Sequence, residues 1–180
     1  MISITIITDA SFCPNTKAAG YGVWIASQHG RKAFKGMLEK ATDNNVAEAM
    51  AIGNALWHGC QSGLIKRGSN ILIQSDSETA IRVAKGEYAG KNPQLIKVMR
   101  YVLGVQERFG LVLRYKHVPG HTKGEDSRTR SQIQCDRDAG EQMQLMRARI
   151  LKEAPVQVEV TPVRKRGSTN FLRSRRRVHG

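Results

Sequence analysis

Residues 2–8 read ISITIIT. Nearly every one of these positions is β-branched, which predicts a strand. Two further strands are expected at residues 21–26 and 31–38, joined by a polar turn over 27–30, so the chain opens with an antiparallel meander. From residue 45 to 60 the period changes. Val46, Ala49, Met50, Ile52, Leu56 and Trp57 fall at helical spacing. Residues 71–74 (ILIQ) predict a short buried strand and residues 77–85 a short helix. Asn92 and Pro93 supply a cap and a first-turn proline for a helix running to Phe109, where Gly110 is placed to end it. Residues 111–117 alternate as a last strand, and a final helix is expected from Ile133 to about Lys152. This order predicts an α/β fold: a mixed five-stranded sheet, three antiparallel strands and then parallel ones, with helices on both faces.

Past Pro155 the pattern weakens. Residues 156–160 fit a short strand or an extended linker. We therefore expect a folded domain over residues 1–153 and a basic, flexible extension over 154–180. Charge sharpens this division. The net charge is +14, and residues 161–180 carry Arg164, Lys165, Arg166, Arg173, Arg175, Arg176 and Arg177 with no acid. Half of the excess thus sits in a ninth of the chain, which points to a polyanionic partner, nucleic acid first of all. Three cysteines, an odd number with no CxxC, suggest reduced thiols rather than disulfides or a zinc site. No apolar run is long enough to span a membrane, and the N-terminus lacks the regions of a signal peptide. A cytoplasmic monomer with no membrane partner is the expectation.

Four acids stand at the ends of predicted elements: Asp9 after the first strand, Asp76 after ILIQS, and Glu48 and Asp136 in the first turns of two helices. Each has an ordinary explanation. Asp9 could start a turn. Glu48, three residues after Asn45, has capping-box spacing. Asp76 could cap the helix that follows, and Asp136 would suit a helix dipole. Taken together they suggest more. If the first and fourth strands are parallel neighbours, Asp9 and Asp76 end at one edge, where open α/β sheets place their sites. The helix starts carrying Glu48 and Asp136 can reach the same edge. Converging carboxylates repel unless cations intervene, and oxygen-only ligands suit Mg²⁺ or Mn²⁺. Two such ions activate water and stabilise a leaving oxygen in phosphodiester hydrolysis.

The motifs around these acids resemble those of ribonuclease H type 1, over residues 1 to about 150. ITDAS resembles the family's TDGS, with Ala10 in place of glycine. DNNVAE resembles TNNxxE, QSDS resembles TDS, VPGH (118–121) resembles V-x-GH before a loop, and CDRDA resembles the CDELA-type segment opening the last helix. The resemblance implies an RNase H-like fold and a metal-dependent endonuclease that cuts the RNA strand of RNA–DNA hybrids. It implies that Asp9, Glu48, Asp76 and Asp136 hold two Mg²⁺ ions, with Mn²⁺ as a possible substitute. His121 would assist proton transfer or product release. Asn44, Asn45 and Asn15 would contact the hybrid, whose 2′-hydroxyls suit short amides. Asp138 is a rival to Asp136, which is preferred because Cys135 precedes it and Ala139 follows. His117 and His58 receive no role.

Some positions depart from the family pattern. Asp43 replaces a threonine that helps hold a DNA phosphate. In the segment after Asp76, Ser77 and Glu78 stand at the substrate, Glu78 where a glutamine often reads the RNA strand. The basic handle of the bacterial type is missing around residues 85–100. A loop running from His121 to Asp136, with Lys123, Arg128 and Arg130, is expected to replace its electrostatic grip together with the C-terminal tail. Two other readings follow from the same residues: a nuclease of this fold acting on DNA junctions or double-stranded RNA, and a non-catalytic basic nucleic-acid binder.

Overall fold

The computed structural model describes residues 4–120 and 126–153. Strand β1 (Ile4–Phe12) lies at the centre of a five-stranded sheet of order β3-β2-β1-β4-β5. Strands β2 (Ala19–Ser27) and β3 (Gly30–Met37) continue antiparallel from it on one side. Strands β4 (Asn70–Ser75) and β5 (Val112–His117) run parallel to it on the other. The meander and the mixed sheet are as the sequence pattern predicts.

β1 is longer than its apolar run. It pairs with β4 only as far as Ile7 opposite Gln74, but with β2 as far as Phe12 opposite Ala19. Asp9 therefore does not end the strand. It stands two residues past the point where β1 parts from β4, and Asp76 follows directly after β4. A cleft opens there because one neighbour has stopped and the other has not.

Helices cover both faces. Helix α1 (Asn44–Gln61) packs its buried Val46, Ile52 and Leu56 against Ile6, Val23, Ile25, Ile71 and Ile73. Helices α2 (Glu78–Ala84) and α3 (Pro93–Phe109) extend that layer. Helix α4 (Ser127–Glu153) lies on the other face, across β1, β2 and β3. Successive residues of a strand point to opposite faces. On β2, Tyr21, Val23 and Ile25 meet α1, while Gly20 and Gly22 lie under α4. Among the described residues no helix is long and apolar enough to cross a membrane.

Three helix starts differ from the sequence reading in instructive ways. α1 is capped by Asp43, whose Oδ1 accepts from the N–H of Val46 at 2.9 Å. Asn45 is inside the helix and makes no capping box, and Glu48 lies beyond the first turn. α2 is capped by Ser77, whose Oγ accepts from Ala80 N–H at 3.2 Å, so Asp76 is not the cap. α4 begins at Ser127, six residues earlier than expected. Asp126 opens it, accepting from the N–H groups of Arg128 and Thr129 at 2.9 and 3.0 Å. Asp136 is thus well inside α4, away from the positive end of its dipole. Arg128 and Arg130 are helical, so from Ser127 on the loop expected between His121 and Asp136 is helix instead. The Asn92 cap, Pro93 and the left-handed Gly110 bound α3 as read. His121 and the extension over residues 154–180 lie outside the described residues.

Candidate active site

At the β1–β4 cleft a cavity of about 410 Å³ is lined by Asp9, Ala10, Asn44, Glu48, Asp76, Gln132, Ile133 and Asp136. One carboxylate oxygen from each of Asp9, Glu48 and Asp76 lies within 4.8 Å of the others. Asp136 faces the same cavity from α4 and is the most exposed of the four. Among the described residues no basic side chain lines it.

This concentration of negative charge is costly by itself. Burial, with the neighbouring charges of Asp76 and Asp136, pushes the Asp9 carboxyl up to about 7. Burial, with Asp9 and Asp76, pushes Glu48 up to about 9. Asp9 Oδ1 accepts the N–H of Ala10 at 2.8 Å. Glu48 Oε2 is buried and has no hydrogen-bond partner among the described residues. An unpaired buried carboxylate oxygen is uncommon in a folded protein and calls for a proton or a cation. A donor set made only of carboxylate oxygens fits a hard divalent ion such as Mg²⁺ or Mn²⁺.

The scaffold around each acid is specific. His117 Nε2 donates to the backbone carbonyl of Asp76 at 2.8 Å, tying the end of β5 to the residue after β4. His117, which received no role from the sequence, thus helps fix Asp76. Cys135 is buried on β1 with its Sγ 3.6 Å from the Ile7 carbonyl, and this places Asp136 at the cavity. Asp138, the rival, is buried on another side of α4. It pairs with Lys35 at 3.3 Å and accepts from Gln134 at 3.1 Å. Gln132 and Ile133 join the site one turn before Asp136. The sequence reading missed them: with the helix expected to start at Ile133, Gln132 lay outside it and Ile133 at its frayed end, and neither was placed a turn before Asp136 on the cavity side.

The predicted substrate residues divide. Asn44 lines the cavity. Asn45 is exposed beside it on α1. Ser77 serves as a cap, and Glu78 is exposed in the first turn of α2. Asn15 is exposed in the turn between β1 and β2.

A family model described as RNase H matches residues 2–144. The chain belongs to the RNase H family. Solved structures agree on the fold. The N-terminal RNase H domain of rv2228c from Mycobacterium tuberculosis is 22% identical, with a TM-score of 0.64 over 83% of this chain and 99% of that one. RNase H1 from the halophilic archaeon Halobacterium salinarum is 20% identical, with a TM-score of 0.62 over 78% and 97%. LC11-RNase H1, solved in complex with an RNA/DNA hybrid, is 23% identical, with a TM-score of 0.62 over 79% and 97%. A comparison with curated protein sequences finds no match.

In this RNase H Gly120 lies close against Asp76. A Cβ built on Gly120 would lie 2.7 Å from Asp76 Oδ2. Gly120→Ala is therefore expected to push the Asp76 carboxylate out of place, lowering kcat on hybrid by about tenfold or more, since small displacements of reacting groups are costly. The thermal midpoint should change little, because Gly120 is exposed. Steady-state cleavage and a melting curve check both halves.

Proposed function

We propose that the protein is an endonuclease that hydrolyses the RNA strand of RNA–DNA hybrids. The observation that supports this best is the set of four carboxylates around one cavity, in a chain of the RNase H family. Asp9, Glu48, Asp76 and Asp136 would hold two Mg²⁺ ions. Bound there, the ions supply an activated water and neutralise charge on the phosphate. Water adds in line to phosphorus and the 3′ oxygen leaves and takes a proton, giving 5′-phosphate and 3′-hydroxyl ends.

The chain's own residues orient the hybrid. Asn44 stands at the edge of the cavity, with Asn45 exposed beside it, and amides there can donate to and accept from a 2′-hydroxyl. Asn15, in the turn after β1, and Ser77 and Glu78, at the start of α2, would meet the flanking backbone. His121 follows Gly120, which abuts Asp76, and would act at the leaving oxygen. Asp43 is accounted for as the cap of α1, so its place near the substrate does not by itself argue for a different nucleic acid.

The deciding assay uses a labelled RNA–DNA hybrid with and without Mg²⁺. Wild type should cut the RNA strand only when Mg²⁺ is present, and Asp76→Asn and Asp136→Asn should be strongly impaired. Equal cutting of a DNA junction or double-stranded RNA would redirect the proposal. Full activity in both variants would end it.

Grip on the substrate should come largely from charge. The connection between α2 and α3 is short, with no inserted handle. Removing residues 161–180 takes away seven Lys and Arg side chains. Hybrid affinity should then fall. The slope of log affinity against log salt should flatten by about 0.9 for each phosphate that the tail had neutralised. A salt titration of binding by both forms measures this, and an unchanged slope would remove the tail from the substrate interface.

A further inference from the structure

A second cavity lies away from the carboxylates, between α1 and α3. It is a groove of about 560 Å³ walled by Met50 and Trp57 on one side and Val98 and Tyr101 on the other, with Lys40 and Lys97 also lining it. Trp57 is 48% exposed and Tyr101 40%. Neighbouring exposed aromatics in a groove mark a surface that something covers.

The rim is tied to the end of α4. Arg149 pairs with Glu39 at 2.9 Å, and Lys40 is the next residue. The side chain of Gln94 donates to the Lys40 carbonyl, and the Thr42 hydroxyl donates to Gln94 at 2.6 Å, fixing this rim against α3. The chain leaves α4 at Glu153, about 6 Å of helix beyond Arg149. The residues that follow are Ala154, Pro155 and then VQVEV over 156–160.

That segment fits the groove in pattern, length and charge. Pro155 disfavours continuing the helix. In an extended chain Val156, Val158 and Val160 share one side, with Gln157 and Glu159 on the other. Five extended residues span about 16 Å, against about 10 Å of helix from Met50 to Trp57. Glu159 is the sole acid in the sequence of residues 154–180, and among the described residues the groove is lined by two lysines and no acid.

We propose that residues 155–160 of the same chain seat in the α1–α3 groove, valines against Trp57 and Tyr101 and Glu159 at the lysine rim. The inference does not depend on the nuclease reading, since an inactive variant seats the segment equally well.

The test uses the full chain carrying Trp24→Phe, which leaves Trp57 as its one indole. Acrylamide quenching of Trp57 emission should show a shielded ring. A local segment has a high effective concentration. Val156→Asp combined with Val158→Asp should therefore raise the quenching constant at least about twofold. Glu159→Lys should raise it as well, and Lys97→Glu added to Glu159→Lys should bring it back down. Trp57 quenched as readily in the parent as in the valine double variant overturns the proposal. So does shielding that grows with protein concentration, which indicates a second copy, or shielding that appears only with added hybrid, which indicates nucleic acid. If Trp24→Phe does not fold, solvent exchange of the Trp57 indole proton in the unaltered chain gives the same comparison.

Discussion

Replacing Asp9 with asparagine is expected to abolish hydrolysis and, at the same time, to stabilise the metal-free protein. With Asp9 holding the ions as proposed, its loss removes several kcal/mol of charge stabilisation, so the rate on hybrid should fall about a thousandfold or more. The gain in stability has a different origin. Asp9, held up at about 7 first by burial and then by Asp76 and Asp136, is an expensive anion in the folded state. Glu48, held up at about 9, suffers from Asp9 in turn. Their ordinary values are 3.8 and 4.5. Below those values both carboxyls are protonated whether the chain is folded or not, and pH has no effect through them. Above them the folded state keeps protons that the unfolded state has lost. Stability in EDTA should therefore decline as pH rises from about 5 to about 9. Urea denaturation of wild type across that range should show the decline. Asp9→Asn should show a shallower one and a higher midpoint at pH 8. Mg²⁺ should stabilise wild type and have much less effect on the variant, because a ligand stabilises only the state that binds it. Equal pH slopes in the two proteins would mean that the acids do not repel as the geometry requires.

These four residues were ambiguous in the sequence for a simpler reason. Each had an ordinary role at hand, and the fold gives that role to a neighbour. Asp43 caps α1, Ser77 caps α2 and Asp126 caps α4. Residues 14–16 make the turn after β1. With those roles filled, Asp9, Glu48, Asp76 and Asp136 do no capping, and three of them cluster where burial penalises charge. A pattern of caps standing beside the acids was present in the sequence. It was readable only once the helix starts were known to within a residue.

The fold was easier to read where apolar periodicity carried the signal. The meander, ILIQ, the capped and glycine-stopped α3 and the mixed sheet all rest on residues that pack against one another. What was misread lies where function and solvent suppress that signal. The first turns of α4, SRTRSQIQ, are mostly polar because they face water and the cavity, so the helix looked like a loop. The last part of β1, DASF, pairs with β2 alone and borders the cleft, so it lacked the two-sided apolar run of a central strand. His117 gave no sign of its bond to Asp76, because that contact joins residues far apart in the chain.

Gly22, which no motif singled out, should prove nearly as sensitive as the carboxylates. A Cβ at Gly22 would overlap the backbone carbonyl of Cys135, and one at Gly20 would meet the backbone of Ala139 and Met143. α4 therefore rests on β2 with no side chain between them at these positions. The obstacle to a methyl group is helix backbone, which cannot swing aside as a side-chain tip would. Gly22→Ala must lift α4 from the sheet or bend β2. The expected loss is about 2–4 kcal/mol, in the range of overpacked cores and forced backbone shifts. Because Cys135 precedes Asp136, the same displacement draws Asp136 from the cavity, so activity should fall even at temperatures where the variant stays folded. Gly140→Ala is the control. It lies on the same helix, a Cβ there meets nothing within 4 Å, and removing a helical glycine should be neutral or stabilising by up to about 1 kcal/mol. Urea midpoints and hybrid cleavage below the transition separate the two. A Gly22→Ala protein with wild-type stability and rate would show that α4 does not sit on bare strand, and that something other than this contact positions Asp136.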